Sequence, residues 1–126
     1  MFIQEQYLEL ARKIHRENPV VDAHFDLAAE VYERRLTGES GVVKQRYLPH
    51  FQEAGLNILV SSIYLTNRDL PELGLRKALG QITALKEDLE PVSDRIRVTA
   101  SRAELEENLA AGRISVLLSL ERLPGE

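Results

Sequence analysis

Three residues in one short run have types and spacing suited to chemistry: Asp22, His24 and Asp26, within Pro19-Val20-Val21-Asp22-Ala23-His24-Phe25-Asp26. If the run is a β-strand, alternate side chains share a face, so all three point the same way. The strand rise then puts the Cα atoms of His24 and Asp26 ~7 Å apart. At that distance the two side chains can converge on one cation, and imidazole with carboxylate suits zinc or a related divalent metal. In parallel α/β folds, sites gather at the C-terminal ends of strands, where His24 and Asp26 fall. The same pattern also fits a capping Asp beside a hydrogen-bonded core His. Asp22, one step deeper, is expected to hold a ligand or a backbone group in place rather than to bind metal itself.

Glu121 is the second anomaly. It follows a run of apolar and small residues, Ile114-Ser115-Val116-Leu117-Leu118-Ser119-Leu120, and would share a face with Ser115, Leu117 and Ser119. A carboxylate buried there is costly unless it is paired or bound to metal. Alternatively the strand ends and Glu121 is its first solvated residue. His15, in a polar stretch, reads as a surface residue, and His50 has no partner at metal-ligand spacing. Glu87, Asp88 and Glu90 read as a solvated helix end. There is no GxSxG, Walker loop or GxGxxG, and no serine has a plausible local base.

The elements that must position these residues follow from periodicity. Ile3, Tyr7, Leu8, Ala11 and Ile14 make one apolar face of a helix over 3–16, which Asn18-Pro19 breaks. The strand carrying Asp22, His24 and Asp26 spans 19–26. A helix is expected over 28–36, a loop over 37–41 and a short helix or turn over 47–53. The nearly all-apolar run 56–65 predicts a strand covered on both faces. Leu75, Leu79, Ile82, Leu85 and Leu89 trace a helical stripe, and Pro91 lies just past its end. A brief strand at 96–98 precedes a helix opened by a Ser101–Glu104 capping box and closed by Gly112. The last strand is 114–120, ending at Glu121. Alternating strands and helices imply a parallel sheet with helical crossovers.

The chain has 126 residues, 44% hydrophobic and 29% charged, which is a globular composition and one domain's length. We read 1–126 as a single domain. The net charge is −4 with no basic stripe, which disfavours nucleic acid as a partner. With no cysteine, metal ligands are limited to His and carboxylate. No run approaches the ~20 apolar residues of a membrane span, and the N-terminus lacks a signal-type apolar core. A cytoplasmic location is therefore expected.

Three segments together resemble the renal or membrane dipeptidases. Residues 19–27 resemble their opening strand, an apolar pair followed by Asp-x-His-x-Asp. Residues 51–64 resemble the next strand with its glycine-containing lead-in, and 115–121 the strand that ends in a metal-bridging glutamate. The resemblance runs along nearly the whole chain but over only about the first third of a typical family member. It implies the N-terminal part of a TIM (β/α)8 metallohydrolase barrel, in which His24 and Asp26 bind one zinc and Glu121 bridges it to a second. It also implies dipeptide hydrolysis by a metal-activated water. Two positions depart from the family pattern: Arg122 stands where Gly commonly follows the glutamate, and Phe25 where many members have Asn.

The family's later histidines and substrate-binding residues have no counterpart here. The chain is thus expected to be an N-terminal fragment that holds at most one zinc, weakly, and turns over no substrate by itself. No residue is assigned a catalytic role. The strand-final tail 123–126 fits a fragment as well. Uncovered sheet edges and apolar helix faces predict self-association. Two other readings remain: a non-catalytic α/β interaction or structural module, and a barrel hydrolase acting on another amide or ester.

Overall fold

Asn18 ends the first helix, α1 (Glu5–Glu17), because a residue before proline is pushed into extended backbone. Its side-chain amide and its own N–H both donate to the Ile14 carbonyl. From there β-branched Val20 and Val21 lead into β1 (Val21–Phe25), followed at once by α2 (Leu27–Leu36). The computed structural model describes residues 4–122. Within it come α3 (Leu48–Glu53), β2 (Ile58–Leu65), α4 (Gly74–Leu89), β3 (Ile96–Val98), α5 (Arg102–Ala111) and β4 (Ile114–Arg122). Ile3 and the tail 123–126, used in the sequence reading, lie outside the described residues.

All four strands are parallel, in the order β1-β2-β4-β3. The fold class expected from strand–helix alternation is the one observed. β2 and β4 pair along eight residues, from Ile58 with Ser115 to Leu65 with Arg122. The short β3 flanks only the start of β4, from Ile114 to Val116. Beyond Val116, no described strand pairs with β4 on that side. β2 forms where the sequence suggests, but its burial is uneven. Leu59, Ser61, Ile63 and Leu65 on one face are all buried, whereas on the other Ser62 is buried and Ile58, Val60 and Tyr64 are partly exposed.

α2 and α4 cover β2. Leu27 and Val31 of α2, Leu85 and Leu89 of α4, and Leu59 and Val116 of the sheet form the centre of the core. Each such side chain contributes about 1.5–3 kcal/mol on burial. The two helices approach closely at Gly80, where a Cβ would lie 2.9 Å from the Tyr32 ring. Gln81 then donates from its amide to the Tyr64 carbonyl at 3.0 Å, tying α4 to the end of β2.

Three expectations need correction. The α4 stripe is displaced: Leu75 and Leu79 are 73% and 53% exposed, while Gly74, Gln81, Ala84, Leu85, Asp88 and Leu89 are buried. Contact with Tyr32 and Tyr64, rather than leucine spacing, sets that helix face. Asp88 is accordingly no solvated helix end. Its side chain is fully buried, accepts from the N–H groups of Val42 (3.1 Å) and Val43 (2.8 Å), and pairs with Arg35 at 3.2 Å. Finally, the helix before β2 starts earlier than residue 47. A π-helical turn, Val43–Tyr47, precedes α3, with its first N–H groups satisfied by Asp88.

The α5 ends match their sequence signals. The Ser101 hydroxyl accepts from the Glu104 N–H, the Glu104 carboxylate accepts from the Ser101 N–H, and Gly112 adopts φ 71° in the left-handed region. α1 has the expected amphipathic spacing, yet none of its residues is buried, so Tyr7, Leu8 and Ile14 face solvent. No described helix is long and apolar enough to cross a membrane.

Candidate metal centre

β1 and β4 are not neighbours; β2 lies between them. Their C-terminal ends nevertheless bring together the residues that the sequence singles out. One ligand atom each from His24, Asp26 and Glu121 lies within 4.8 Å of the others. His24 Nε2 is 2.7 Å from Glu121 Oε2.

Plain strand alternation does not deliver this convergence. β1 loses register with β2 between Asp22, opposite Leu59, and Phe25, opposite Ser61. Three steps along β1 match two along β2, the mark of a bulge, and bulges re-aim side chains next to active sites. Asp26 has already left the strand: it is the N-cap residue of α2, with φ −86° and ψ 43°. Its carboxylate makes no capping hydrogen bond to that helix, which leaves the oxygens turned to other uses. The Ser61 hydroxyl accepts from the Ala28 N–H at 3.0 Å and fastens the start of α2 to β2. Asp22 accepts from the His24 N–H at 3.1 Å. It stays out of the three-atom group and holds the backbone of His24 in place.

The electrostatics follow from the contact. The Glu121 hydrogen bond and charge raise the His24 imidazole above its ordinary value, with smaller help from Asp26 and Asp22. The Glu121 carboxyl is held below its ordinary value, first by His24 and then by Ser62. The Ser62 hydroxyl is buried and has no hydrogen bond of full geometry among the described residues. The His24 contact is therefore the defined bond, and Ser62 is a spare polar group below Glu121.

The side chains of His24 and Glu121 are 59% and 38% exposed, so an ion can reach them from solvent. One imidazole and two carboxylates within a few ångströms, beside an orphaned hydroxyl, fit a divalent cation of the zinc type. His15 and His50 are exposed on α1 and α3 and do not join the group. Ser62 escaped the sequence reading, although two serines in the apolar run Leu59-Val60-Ser61-Ser62-Ile63 are a usable signal. Arg122, which replaces the expected Gly, continues β4 opposite Leu65.

Comparison with known proteins bears on this geometry. The family model described as membrane dipeptidase (peptidase family M19) matches residues 8–124. The crystal structure of the dipeptidase AC, a metallopeptidase of family M19, superposes with a TM-score of 0.68 at 23% sequence identity. That match covers 82% of this chain and 35% of that one, so this chain spans about a third of that structure's length. At this identity the likeness speaks for the fold. No curated protein sequence matches the chain. With a family model matched along residues 8–124 and the fold shared with a solved member, this chain belongs to the membrane dipeptidase family, peptidase family M19.

Proposed function

We propose that the chain supplies the first half of a two-zinc dipeptide-hydrolysing site, carried on the opening strands of a (β/α)8 barrel. His24, Asp26 and Glu121 would hold zinc there, and the further ligands of a two-zinc site would have to come from outside these 126 residues. The observation that carries this reading is the convergence of His24, Asp26 and Glu121 within 4.8 Å at strand ends, in a chain of the M19 family. When bound, zinc supplies Lewis acidity toward the scissile carbonyl and the attacking water. The chain's own residues prepare for it. His24 must give up its proton and its bond to Glu121, because a metal takes neutral imidazole. Asp22 keeps the His24 backbone fixed while the ring changes partner.

Metal content of the purified chain, with His24→Ala and Glu121→Ala alongside, tests the assignment. The expected result is up to one zinc per chain, lost in both variants while the fold persists by circular dichroism. A folded parent chain that takes up no zinc at any accessible concentration overturns it. The isolated chain is expected to leave dipeptides uncleaved, and chelator-sensitive turnover would contradict the half-site.

Self-association belongs to the same proposal. Among the described residues β4 is unpaired on one side past Val116. Leu117 and Leu118 there line an open cavity of about 500 Å3 with Val98, Ser101 and Leu105. An unpaired edge beside apolar surface favours strand addition. Light scattering at rising concentration is expected to show association, and a constant monomer mass would count against it.

A further inference from the structure

We propose that the Phe25–Tyr47–Phe51 ring cluster positions His24 and Asp26, with the segment that carries two of the rings anchored by buried Asp88. This rests on the reading of His24 and Asp26 as metal ligands and names what holds them.

Phe25 sits between the two candidate ligands in sequence. It is also where β1 regains register with β2, opposite Ser61, after the bulge. Through the bulge the regular ladder is interrupted, so the direction of the backbone at His24 depends on how Phe25 is fixed beyond it. Two rings fix it. The Phe25 centroid is 5.7 Å from that of Tyr47 at 87°, and 5.7 Å from that of Phe51 at 84°. Both are edge-to-face geometries that aromatic rings favour. Tyr47 and Phe51 stack on each other at 5.9 Å and 27°.

Those two rings are themselves placed from a distance. Tyr47 closes the π-helical turn and Phe51 lies four residues on, in α3, so one helical segment presents both. π-Helical turns recur at functional sites. The segment's first N–H groups, Val42 and Val43, end on the Asp88 carboxylate of α4, which Arg35 of α2 also engages. A continuous path of packed and bonded groups therefore runs from α4 to the strand end that carries His24 and Asp26. His24 and Asp26 are themselves exposed and gain no rigidity from burial. Groups that orient metal ligands without touching the metal typically alter affinity by about 10–100-fold when replaced.

The test uses the 126-residue chain with cobalt as the probe. The visible absorption of bound Co2+ reports ligand geometry, and zinc competition gives affinity. Phe25→Leu and Tyr47→Leu are expected to weaken cobalt binding about tenfold or more and to alter its spectrum, with the circular-dichroism signal retained. Tyr47→Phe, which keeps the ring, is expected to bind as the parent does. Parent-like affinity and spectrum in both leucine variants would overturn the proposal. Phe25→Met takes the place of Phe25→Leu if the latter does not fold. Should the parent bind no metal, the zinc reading fails, and 15N relaxation decides the positioning claim alone. Greater mobility of the His24 and Asp26 amides in the leucine variants, with Leu59 and Val116 unchanged, supports it; unchanged mobility at His24 and Asp26 sinks it.

Discussion

Asp88 and Glu121 are both carboxylates brought to partners far away in sequence, and the two clusters that they anchor differ in completeness. Asp88 is 2% exposed; its oxygens accept from Val42 and Val43, and Arg35 balances the charge. Acceptors and donors match, which is what burial of a charge demands. Around Glu121 one imidazole faces two carboxylates in an exposed setting, with the Ser62 hydroxyl left over. That cluster has surplus acceptors and access to solvent. A saturated cluster holds a fold together, whereas an unsaturated one can take a ligand. The pair thus separates a structural carboxylate from a candidate functional one without reference to either residue's family.

The largest effect expected from this contrast is on stability. Asp88→Ala strands two buried N–H groups and removes the partner of Arg35, and should destabilise the chain by about 3 kcal/mol. Urea unfolding of parent and variant measures it. Asp88→Asn keeps one acceptor oxygen and should recover part of the loss. If Asp88→Ala unfolds at the parent's urea midpoint, the saturated cluster is not structural and the contrast collapses.

Glu121→Gln should cost far less stability, because the His24–Glu121 pair is exposed and screened. Its signature is in pH dependence. Protonated His24 titrates above its ordinary 6.5 in the folded chain. Its contribution is present in full below 6.5 and is lost as pH rises through the folded value. Glu121 titrates below its ordinary 4.5, so its contribution is present above 4.5 and is lost as pH falls through the folded value. The pair thus supports the metal-free chain best between those two ordinary values. An NMR titration of the parent should place His24 above 6.5, and Glu121→Gln should bring it back toward 6.5. Zinc competes for the same imidazole, so apparent affinity should fall as pH falls through the His24 value, with proton release on binding. A parent midpoint at 6.5 would show that the 2.7 Å contact does not persist in solution.

How much of this was legible in the sequence depends on whether the deciding contact is local. The Ser101–Glu104 box and the Gly112 cap lie within a few residues of their partners, and both were readable. Strands β2 and β4 were readable as strands from their continuous apolar runs, although β4 is buried only from Ile114 to Val116 and Leu120 is exposed. His24, Asp26 and Glu121 were singled out because strand ends are where polar residues after apolar runs stand out, and the structure brings all three together. The bulge in β1 was not readable, since it exists only against the β2 register. Neither was the burial of Asp88, whose partners lie 45 to 53 residues away. Ser62 is visible as a second serine inside an apolar run, but its place beside Glu121 on the neighbouring strand is not local and cannot be read from the sequence.

The misplaced leucine stripe of α4 yields the smallest expected effect and a separate use. Leucine spacing alone makes Leu75 and Leu79 core residues, and loss of a core leucine costs about 2–5 kcal/mol. The structure instead leaves Leu79 more than half exposed, near Leu36 and Gly80 on the outer surface where α2 meets α4. Leu79→Gln should therefore change unfolding free energy by no more than about 0.5 kcal/mol in dilute solution. A cost in the core range would restore the leucine stripe and with it a different seating of α4, which would also move Asp88 out of its buried position. A third outcome is concentration dependence: near-zero cost when dilute, rising as the protein is concentrated. Apolar surface covered only in an associated form behaves this way, because association stabilises by mass action. That result would place the self-association surface on the outer helices rather than along the unpaired run of β4.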